Sequence, residues 1–119
     1  SGRIRAFQPL NSHHSYYWTT RYPVRALFPV GRLMAQVRLL NPADISPPVL
    51  MIVSPRDRII NPRLAAKIFK QFANPHNRII YFEGSQDPED HILGGEIVSP
   101  ASTEIIIRES TAFLGKVLA

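Results

Sequence analysis

The stretch VLMIV (Val49–Val53) decides the fold of this chain. It is a continuous apolar run behind two prolines, and the polar loop SPRDRIINP (54–62) follows it. An apolar run of this length, with branched residues and no alternating polar ones, is typical of a strand buried on both faces in a parallel sheet. The run therefore predicts a sheet in which other strands lie beside this one.

Helices and a second strand follow this run in alternation. Asn61 can cap a helix, and Pro62 suits the first helical position. The run RIIYF (78–82) predicts a second strand, and Ser99 and Pro100 can open a last helix in the same way. The residues predicted to face inward are Ala65, Ile68, Phe69 and Phe72 in the first of these helices and Ile106, Phe113 and Val117 in the last.

The N-terminal third of the chain has a different pattern. Residues 1–20 show no clear period, and the mixture of polar and aromatic residues in NSHHSYYW (11–18) predicts a loop or an irregular surface there. From about Tyr22 to Leu40 the apolar residues recur at helical spacing. A helix is therefore predicted there, and Pro29 and Gly31 are expected to bend or split it.

The predicted order of helix, strand, helix, strand and helix indicates the α/β class with a parallel sheet. We divide the chain into a connecting helical segment, residues 1–45, and a strand-helix-strand-helix segment, residues 46–119. Because two strands do not make a stable sheet by themselves, we expect the chain to be the end of a larger domain. The expected partners are the N-terminal half of that domain or a second copy of the chain.

Composition excludes several classes of function. The 119 residues hold no cysteine, which excludes disulfides and thiolate metal sites, and no apolar run approaches the ~18 residues of a membrane-spanning helix. The net charge of +5 is uneven, because residues 1–43 carry six arginines and no acid. Such a segment can attract nucleic acid or an anionic membrane, but no common RNA-binding motif is present. We expect these arginines to face solvent or to pair with acids elsewhere, so nucleic acid is not a predicted partner.

Two polar side chains follow the two predicted strands. Asp57 lies four residues after Val53, and His91 lies nine residues after Phe82. Because functional groups collect at the carboxyl ends of parallel strands, both loops should meet at one edge of the sheet. A carboxylate oxygen of Asp57 should then lie about 2.6–3.2 Å from a ring nitrogen of His91. A carboxylate in that place fixes the imidazole tautomer, so that the other ring nitrogen can take a proton from a nucleophile.

These two regions carry a resemblance to a known family. In PVLMIVSPRDRIINP (48–62) and RIIYFEGSQDPEDHILGGEIVSP (78–100) the chain resembles the α/β-hydrolases, in which the nucleophile, the acid and the histidine follow one another along the chain. The stretch RYPVRALFPVGRLMAQVRLLN (21–41) is similar to the late cap elements of bacterial esterase- or lipase-like members. The resemblance covers the chain from about residue 21 to its last residue.

The resemblance implies a fold and a chemistry. It implies the C-terminal part of an α/β-hydrolase fold, with Asp57 as the acid and His91 as the histidine of a catalytic triad, and with residues 1–45 belonging partly to a helical cap. The G-x-S-x-G elbow that carries the nucleophilic serine in this family is absent from the 119 residues. We therefore expect the C-terminal portion of a serine hydrolase that cleaves a small apolar carboxylic ester, uses no cofactor, and is inactive by itself.

Other roles compete for the same residues. Asp57 lies between two arginines and can instead form surface ion pairs or cap the following helix. Asp90 is a second carboxylate beside His91 and could be its partner instead of Asp57. Together with Asp87 and Glu89, Asp90 and His91 suggest a metal site as a further alternative, although clustered acids in a loop are usually solvated. Gly94 and Gly95 are expected to let the chain turn closely. The alternative function is a non-catalytic α/β module that binds or assembles through its basic N-terminal segment.

Overall fold

The computed structural model describes residues 2–119 and contains both helices and small sheets, so the chain is of mixed α/β structure. It divides into two compact units. The first unit ends at Asn41, and the second is Pro42–Ala119. The predicted boundary, between residues 45 and 46, lies four residues further along the chain.

The first unit begins with a short hairpin. Strand β1 (Ile4–Ala6) pairs antiparallel with strand β2 (Arg21–Pro23), and helix α1 (Ser12–Tyr17) lies between them in the chain. The side chain of Asn11 caps α1 by accepting a hydrogen bond from the backbone N–H of His14 at 2.8 Å. The prediction of a loop or an irregular surface for residues 11–18 is therefore wrong, since α1 lies there. Elements of three and six residues are too short to show a period in the sequence.

A single helix closes the first unit. After a 3₁₀ turn at Val24–Ala26, helix α2 (Leu27–Val37) runs without a break, so the predicted bend or split is wrong. Pro29 is the third residue of α2, where a backbone N–H has no acceptor within the helix, so its missing N–H removes no hydrogen bond. Gly31 has open space around it, and none of the residues of α2 is buried.

The second unit contains the predicted pair of parallel strands. Strand β3 (Leu50–Val53) pairs with strand β4 (Arg78–Tyr81) in a register that places Leu50 opposite Arg78 and Val53 opposite Tyr81. The prediction of two parallel strands is confirmed. Burial on both faces is only partly present, because Val53 is buried whereas the rest of β3 is half-buried. Among residues 2–119, β3 and β4 each pair with no other strand.

Two helices accompany these strands. Helix α3 (Pro62–Phe69) is capped as predicted, because the Oδ1 atom of Asn61 accepts a hydrogen bond from the N–H of Leu64 at 3.0 Å. Its buried residues are Ala66 and Phe69. Phe69 belongs to the predicted stripe, whereas Ala66 lies one residue after the predicted Ala65. A 3₁₀ turn leads into helix α4 (Thr103–Val117), which buries the predicted Phe113. Within the described residues, no helix combines the length and the apolar character needed to cross a membrane.

Both units leave large apolar side chains in contact with solvent. On α2 they include Phe28, which is 67% exposed, and Leu33, which is 60% exposed. In the second unit, Tyr81 at the end of β4 and Ile107 on α4 are also more than half exposed. Exposed apolar surface of this extent is typical of a surface that another polypeptide covers.

We expect the 119-residue chain to self-associate. Within residues 2–119 the outer edges of β3 and β4 pair with no strand, and these edges and the exposed apolar side chains favour pairing with a second copy. Sedimentation velocity over a range of protein concentrations should show the sedimentation coefficient rising with concentration. The rise should persist in high salt, because salt screens charge contacts but not apolar ones. A compact monomer at every concentration would contradict the expectation.

Candidate active site

The loops that follow β3 and β4 meet at one end of the two-stranded sheet. Asp57 comes from the first loop and His91 from the second. The Oδ2 atom of Asp57 lies 2.8 Å from the Nδ1 atom of His91, within the range of a hydrogen bond between charged or polar groups. The predicted contact between these two side chains is therefore present. The short strands bring together residues that are 34 positions apart in the chain.

Asp57 uses its two carboxylate oxygens for different purposes. Oδ1 accepts hydrogen bonds from the backbone N–H groups of Ile59 at 2.8 Å and Ile60 at 2.9 Å, while Oδ2 contacts the ring of His91. The side chain is only 4% exposed. Asp57 does not cap α3, because Asn61 performs that role. The carboxylate therefore holds its own loop and still has one oxygen left for the histidine.

Burial and hydrogen bonding act in opposite directions on the pKa of Asp57. Withdrawal of the carboxylate from water raises the pKa, whereas the backbone N–H of Ile60, the ring of His91, the backbone N–H of Ile59 and the attraction of a charged imidazole lower it. The lowering contributions prevail together, and the pKa lies below its ordinary value of 3.8. Asp57 is therefore an anion at neutral pH, the form that accepts a hydrogen bond from an imidazole N–H.

Two further contacts join the same loops. The backbone N–H of Arg58 donates to the carbonyl of Glu89 at 2.9 Å. The Nε atom of Arg56 lies 3.4 Å from the Oδ2 atom of Asp90, although the arginine side chain is 60% exposed and the pair is correspondingly weak. Asp90, the alternative carboxylate partner for His91, therefore faces an arginine, and Asp57 holds the ring.

The ring of His91 is held at one nitrogen and open at the other. Its side chain is 40% exposed, and Nε2 has no hydrogen-bond partner among residues 2–119. The ring forms part of the wall of an open depression of about 440 Å³. Most of the other lining is apolar and comes from β3, from the chain after the histidine and from α4: Ile52, Leu93, Ile106 and Ile107. A small apolar group placed there would lie beside an imidazole.

The two glycines after His91 let the chain turn back toward α4, as predicted. Gly95 has φ of +104°, a backbone conformation that residues with a side chain rarely adopt. A Cβ atom on Gly94 would lie 3.3 Å from the Cγ1 atom of Ile106, so the loop packs closely on α4 at this point. Both positions serve the backbone and carry no chemistry of their own.

Ser99 and Ser102 have a role that the sequence did not reveal. Ser99 was predicted to cap the last helix, but its side chain makes no cap hydrogen bond. Both hydroxyls are buried and lie 2.6 Å apart. Ser99 accepts a hydrogen bond from the N–H of Gln86, and Ser102 donates to the carbonyl of Leu93 at 2.8 Å. The hydroxyl chain thus connects the residues on either side of His91 to the start of α4.

The acidic residues near His91 do not form a metal site. Within residues 2–119, no three His, Cys, Asp or Glu side chains lie in positions that could hold a metal ion. The side chain of Asp87 instead accepts hydrogen bonds from backbone N–H groups of its own loop. The metal alternative for Asp87, Glu89, Asp90 and His91 therefore finds no support in the arrangement of these side chains.

Replacement of Asp57 by Asn should destabilise the chain by about 1–3 kcal/mol at neutral pH, because the amide removes the negative charge and replaces one of the two acceptor oxygens by a donor. Since the pKa of Asp57 is lowered in the folded chain, the stability that its charge contributes is complete above 3.8 and is lost as the pH falls through the folded value. The difference between the unmodified chain and Asp57→Asn should therefore shrink on acidification. Urea unfolding followed by circular dichroism, at one protein concentration, measures this difference.

The control is Glu83→Gln, which removes a negative charge from an exposed residue near the end of β4. The free energy of unfolding of this variant should stay close to that of the unmodified chain from neutral pH to about pH 3, because surface substitutions away from buried contacts change stability little. If the difference in the free energy of unfolding between Asp57→Asn and the unmodified chain stayed constant over this range, the lowered pKa of Asp57 would be refuted.

The site described above consists of a carboxylate and an imidazole in direct contact at the carboxyl ends of two parallel strands. Comparison of the chain with protein families, curated proteins and solved structures finds no match. The contact between Asp57 and His91, together with the strands that position it, is therefore the basis for a proposal about function.

Proposed function

We propose that this chain supplies the acid and the histidine of a serine hydrolase that cleaves carboxylic esters. The observation that carries the proposal is the 2.8 Å contact between Asp57 and His91 at the carboxyl ends of two adjacent parallel strands. A surface aspartate that only paired with arginines would not need a nearly buried side chain whose second oxygen meets an imidazole. The ring is exposed, and its Nε2 atom has no partner among the described residues, as expected for a base that takes a proton from a group outside them.

The contact determines which ring nitrogen acts. An ionised carboxylate accepts hydrogen bonds only, so Nδ1 of His91 carries the proton that it donates to Asp57. In the neutral ring, Nε2 then has a free electron pair. When Nε2 takes up a proton, the imidazolium gains from the negative charge of Asp57. Asp57 therefore orients the ring and stabilises its charged form without becoming protonated.

The proposed reaction has two stages. In the first, Nε2 of His91 removes the proton of a serine hydroxyl while the serine oxygen attacks the ester carbonyl carbon, and the tetrahedral adduct collapses as the imidazolium returns the proton to the leaving alcohol. In the second, His91 takes a proton from water, whose oxygen attacks the acyl-enzyme. Collapse releases the carboxylic acid and returns the proton to the serine oxygen, so no other reactant is consumed.

The proposal places the nucleophile outside these 119 residues, because they contain no G-x-S-x-G elbow. The proposal implies that the chain forms the C-terminal part of an α/β-hydrolase fold. The N-terminal half of that fold is then the main partner of this chain. The depression beside His91 supports an apolar ester as substrate, because the residues that line it are mainly aliphatic. In this proposal, the first unit contributes part of a helical cap.

A second candidate function is a non-catalytic module that binds or assembles with another polypeptide. The observation in its favour is α2, none of whose residues is buried, within a segment that carries arginines and no acids. The coding sequence upstream of Ser1 separates the two candidates. A G-x-S-x-G between a predicted strand and a predicted helix supports the hydrolase, and an in-frame start codon near Ser1 supports the module.

The 119-residue chain alone should not hydrolyse esters, because an acid and a base without a nucleophile activate water poorly. Assays with short- and medium-chain p-nitrophenyl esters should show no turnover above that of a His91→Ala variant, which is the matched control. Turnover that persists through repurification but disappears in His91→Ala would refute the requirement for an external serine.

In a longer polypeptide that contains the serine, replacement of Asp57 by Asn should lower kcat by about 10⁴-fold, because the ring then adopts the wrong tautomer. Replacement of His91 by Ala should have an effect at least as large, since it removes the base itself. Asp90→Asn, one residue from the histidine, is the control and should leave kcat nearly unchanged. Equal effects of Asp57→Asn and Asp90→Asn would contradict the proposed role of Asp57.

A further inference from the structure

The side chain of Asp87 is the centre of the loop that presents His91. Its Oδ1 atom accepts a hydrogen bond from the N–H of Glu89 at 3.1 Å. Its Oδ2 atom accepts two more, from the N–H groups of His91 at 3.2 Å and Ile92 at 2.9 Å. One carboxylate thus receives three backbone donors, and two of them belong to the histidine and the residue after it.

The backbone of Asp87 takes part in the same turn. Its carbonyl accepts from the N–H of Asp90 at 2.9 Å, and its own N–H donates to the hydroxyl of Ser85 at 3.0 Å. The hydroxyl of Ser85 in turn donates to the carbonyl of Ile92 at 2.7 Å. The chain from Ser85 to Ile92 is therefore folded around Asp87 by hydrogen bonds from both of its ends.

This turn includes a backbone conformation that needs support. Asp90 has φ of 51°, in the left-handed region, and is the only residue other than glycine with positive φ in the described part of the chain. Such a conformation persists when surrounding contacts hold it. Here the contacts include those of Asp87, which binds the N–H of Asp90 through its carbonyl and that of His91 through its carboxylate.

The hydroxyl chain of Ser99 and Ser102 fastens the loop from outside. It holds Gln86 before the turn and Leu93 after it, and Gln86 also accepts a hydrogen bond at its side-chain oxygen from the N–H of Ala101 at 2.8 Å. These contacts fix where the loop begins and ends. Among the described residues, the side-chain contacts to the backbone of His91 itself come from Asp87.

We propose that Asp87 is a positioning residue for His91: it fixes the backbone of the histidine so that Nδ1 meets Asp57. The ring is 40% exposed, so packing restrains it only in part. A ring in that situation keeps its place when its backbone is rigid and its one polar partner is fixed. Asp87 provides the first condition, and Asp57 provides the second.

The significance of this role for catalysis rests on the proposed hydrolase function, but the role itself can be tested without turnover. The test compares Asp87→Asn with Glu89→Gln in the 119-residue chain. Both variants remove one negative charge from the same loop. Glu89 contributes only its backbone groups to the contacts described here, so Glu89→Gln is the matched control. Asp87→Asn places an NH₂ group where a carboxylate oxygen accepted a backbone N–H.

Amide hydrogen exchange and the ¹⁵N chemical shifts of the His91 ring are measured by NMR. In Asp87→Asn, exchange at His91 and Ile92 should rise about tenfold or more, as expected for loss of hydrogen bonds to a charged acceptor. The neutral ring, which holds its proton on Nδ1 in the unmodified chain, should show a mixture of both tautomers. Glu89→Gln should leave both observations unchanged.

Amides of α3, such as those of Ala66 and Phe69, report whether the variant has merely lost overall stability. Their exchange should stay near that of the unmodified chain. If α3 exchange rose as much as exchange at His91, Asp87 would be a general stabilising residue and the proposal would be overturned. It would also be overturned if Asp87→Asn resembled Glu89→Gln at both the amides and the ring. Failure of ester hydrolysis would appear only in the turnover assays, so the two proposals can fail separately.

Discussion

The hydrogen bond between Asp57 and His91 depends on the direction of two strands. Val53 and Tyr81, the last residues of β3 and β4, lie opposite each other, so the loops that follow leave the sheet at the same end. In an antiparallel pair those loops would leave at opposite ends. Strands of four residues rise by about 3.3 Å per residue, which would separate the side chains by about 10 Å. Parallel pairing is therefore the constraint that makes the site possible.

Beyond the strands, the site is built mostly from polar side chains that bind backbone groups. The chain between β4 and α4 contains no helix or strand until the 3₁₀ turn at residues 100–102. Its backbone polar groups find partners in carboxylates, hydroxyls and one amide rather than in a sheet. This explains how a long loop can hold a histidine in one place, since buried or half-buried backbone groups are costly to leave unpaired.

The sequence predicted the features that depend on local pattern. The apolar run around β3 and the cap at Asn61 follow from residue types at short spacing, and the structure contains both. The contact between Asp57 and His91 spans 34 residues, and it could be predicted because the carboxyl ends of parallel strands meet at one edge of a sheet. The prediction of the buried stripe on α3 was less accurate, because the helix buries Ala66 where Ala65 was predicted. The rotation of a helix about its axis is set by what packs against it, and a sequence pattern does not contain that information.

Other features depend on contacts between distant residues, and these were missed. Ser99 followed by proline has the pattern of a helix cap, yet its hydroxyl meets Gln86, which is 13 residues away. Asp87 was grouped with neighbouring acids as a metal alternative, because three acids close together look alike until the turn assigns one of them to the backbone. The hairpin in the first unit escaped notice because its strands have three residues each.

The divided use of the Asp57 carboxylate has a consequence for the order in which the site comes apart. Oδ1 closes loops of two and three residues, whereas Oδ2 closes one of 34. Closing the longer loop costs about 2 kcal/mol more in chain entropy, since the cost grows with the logarithm of loop length. Heat or denaturant that loosens the pairing of β3 with β4 therefore releases the imidazole first. The acceptor keeps its orientation after the donor has left, and the histidine returns to a carboxylate that is already in place.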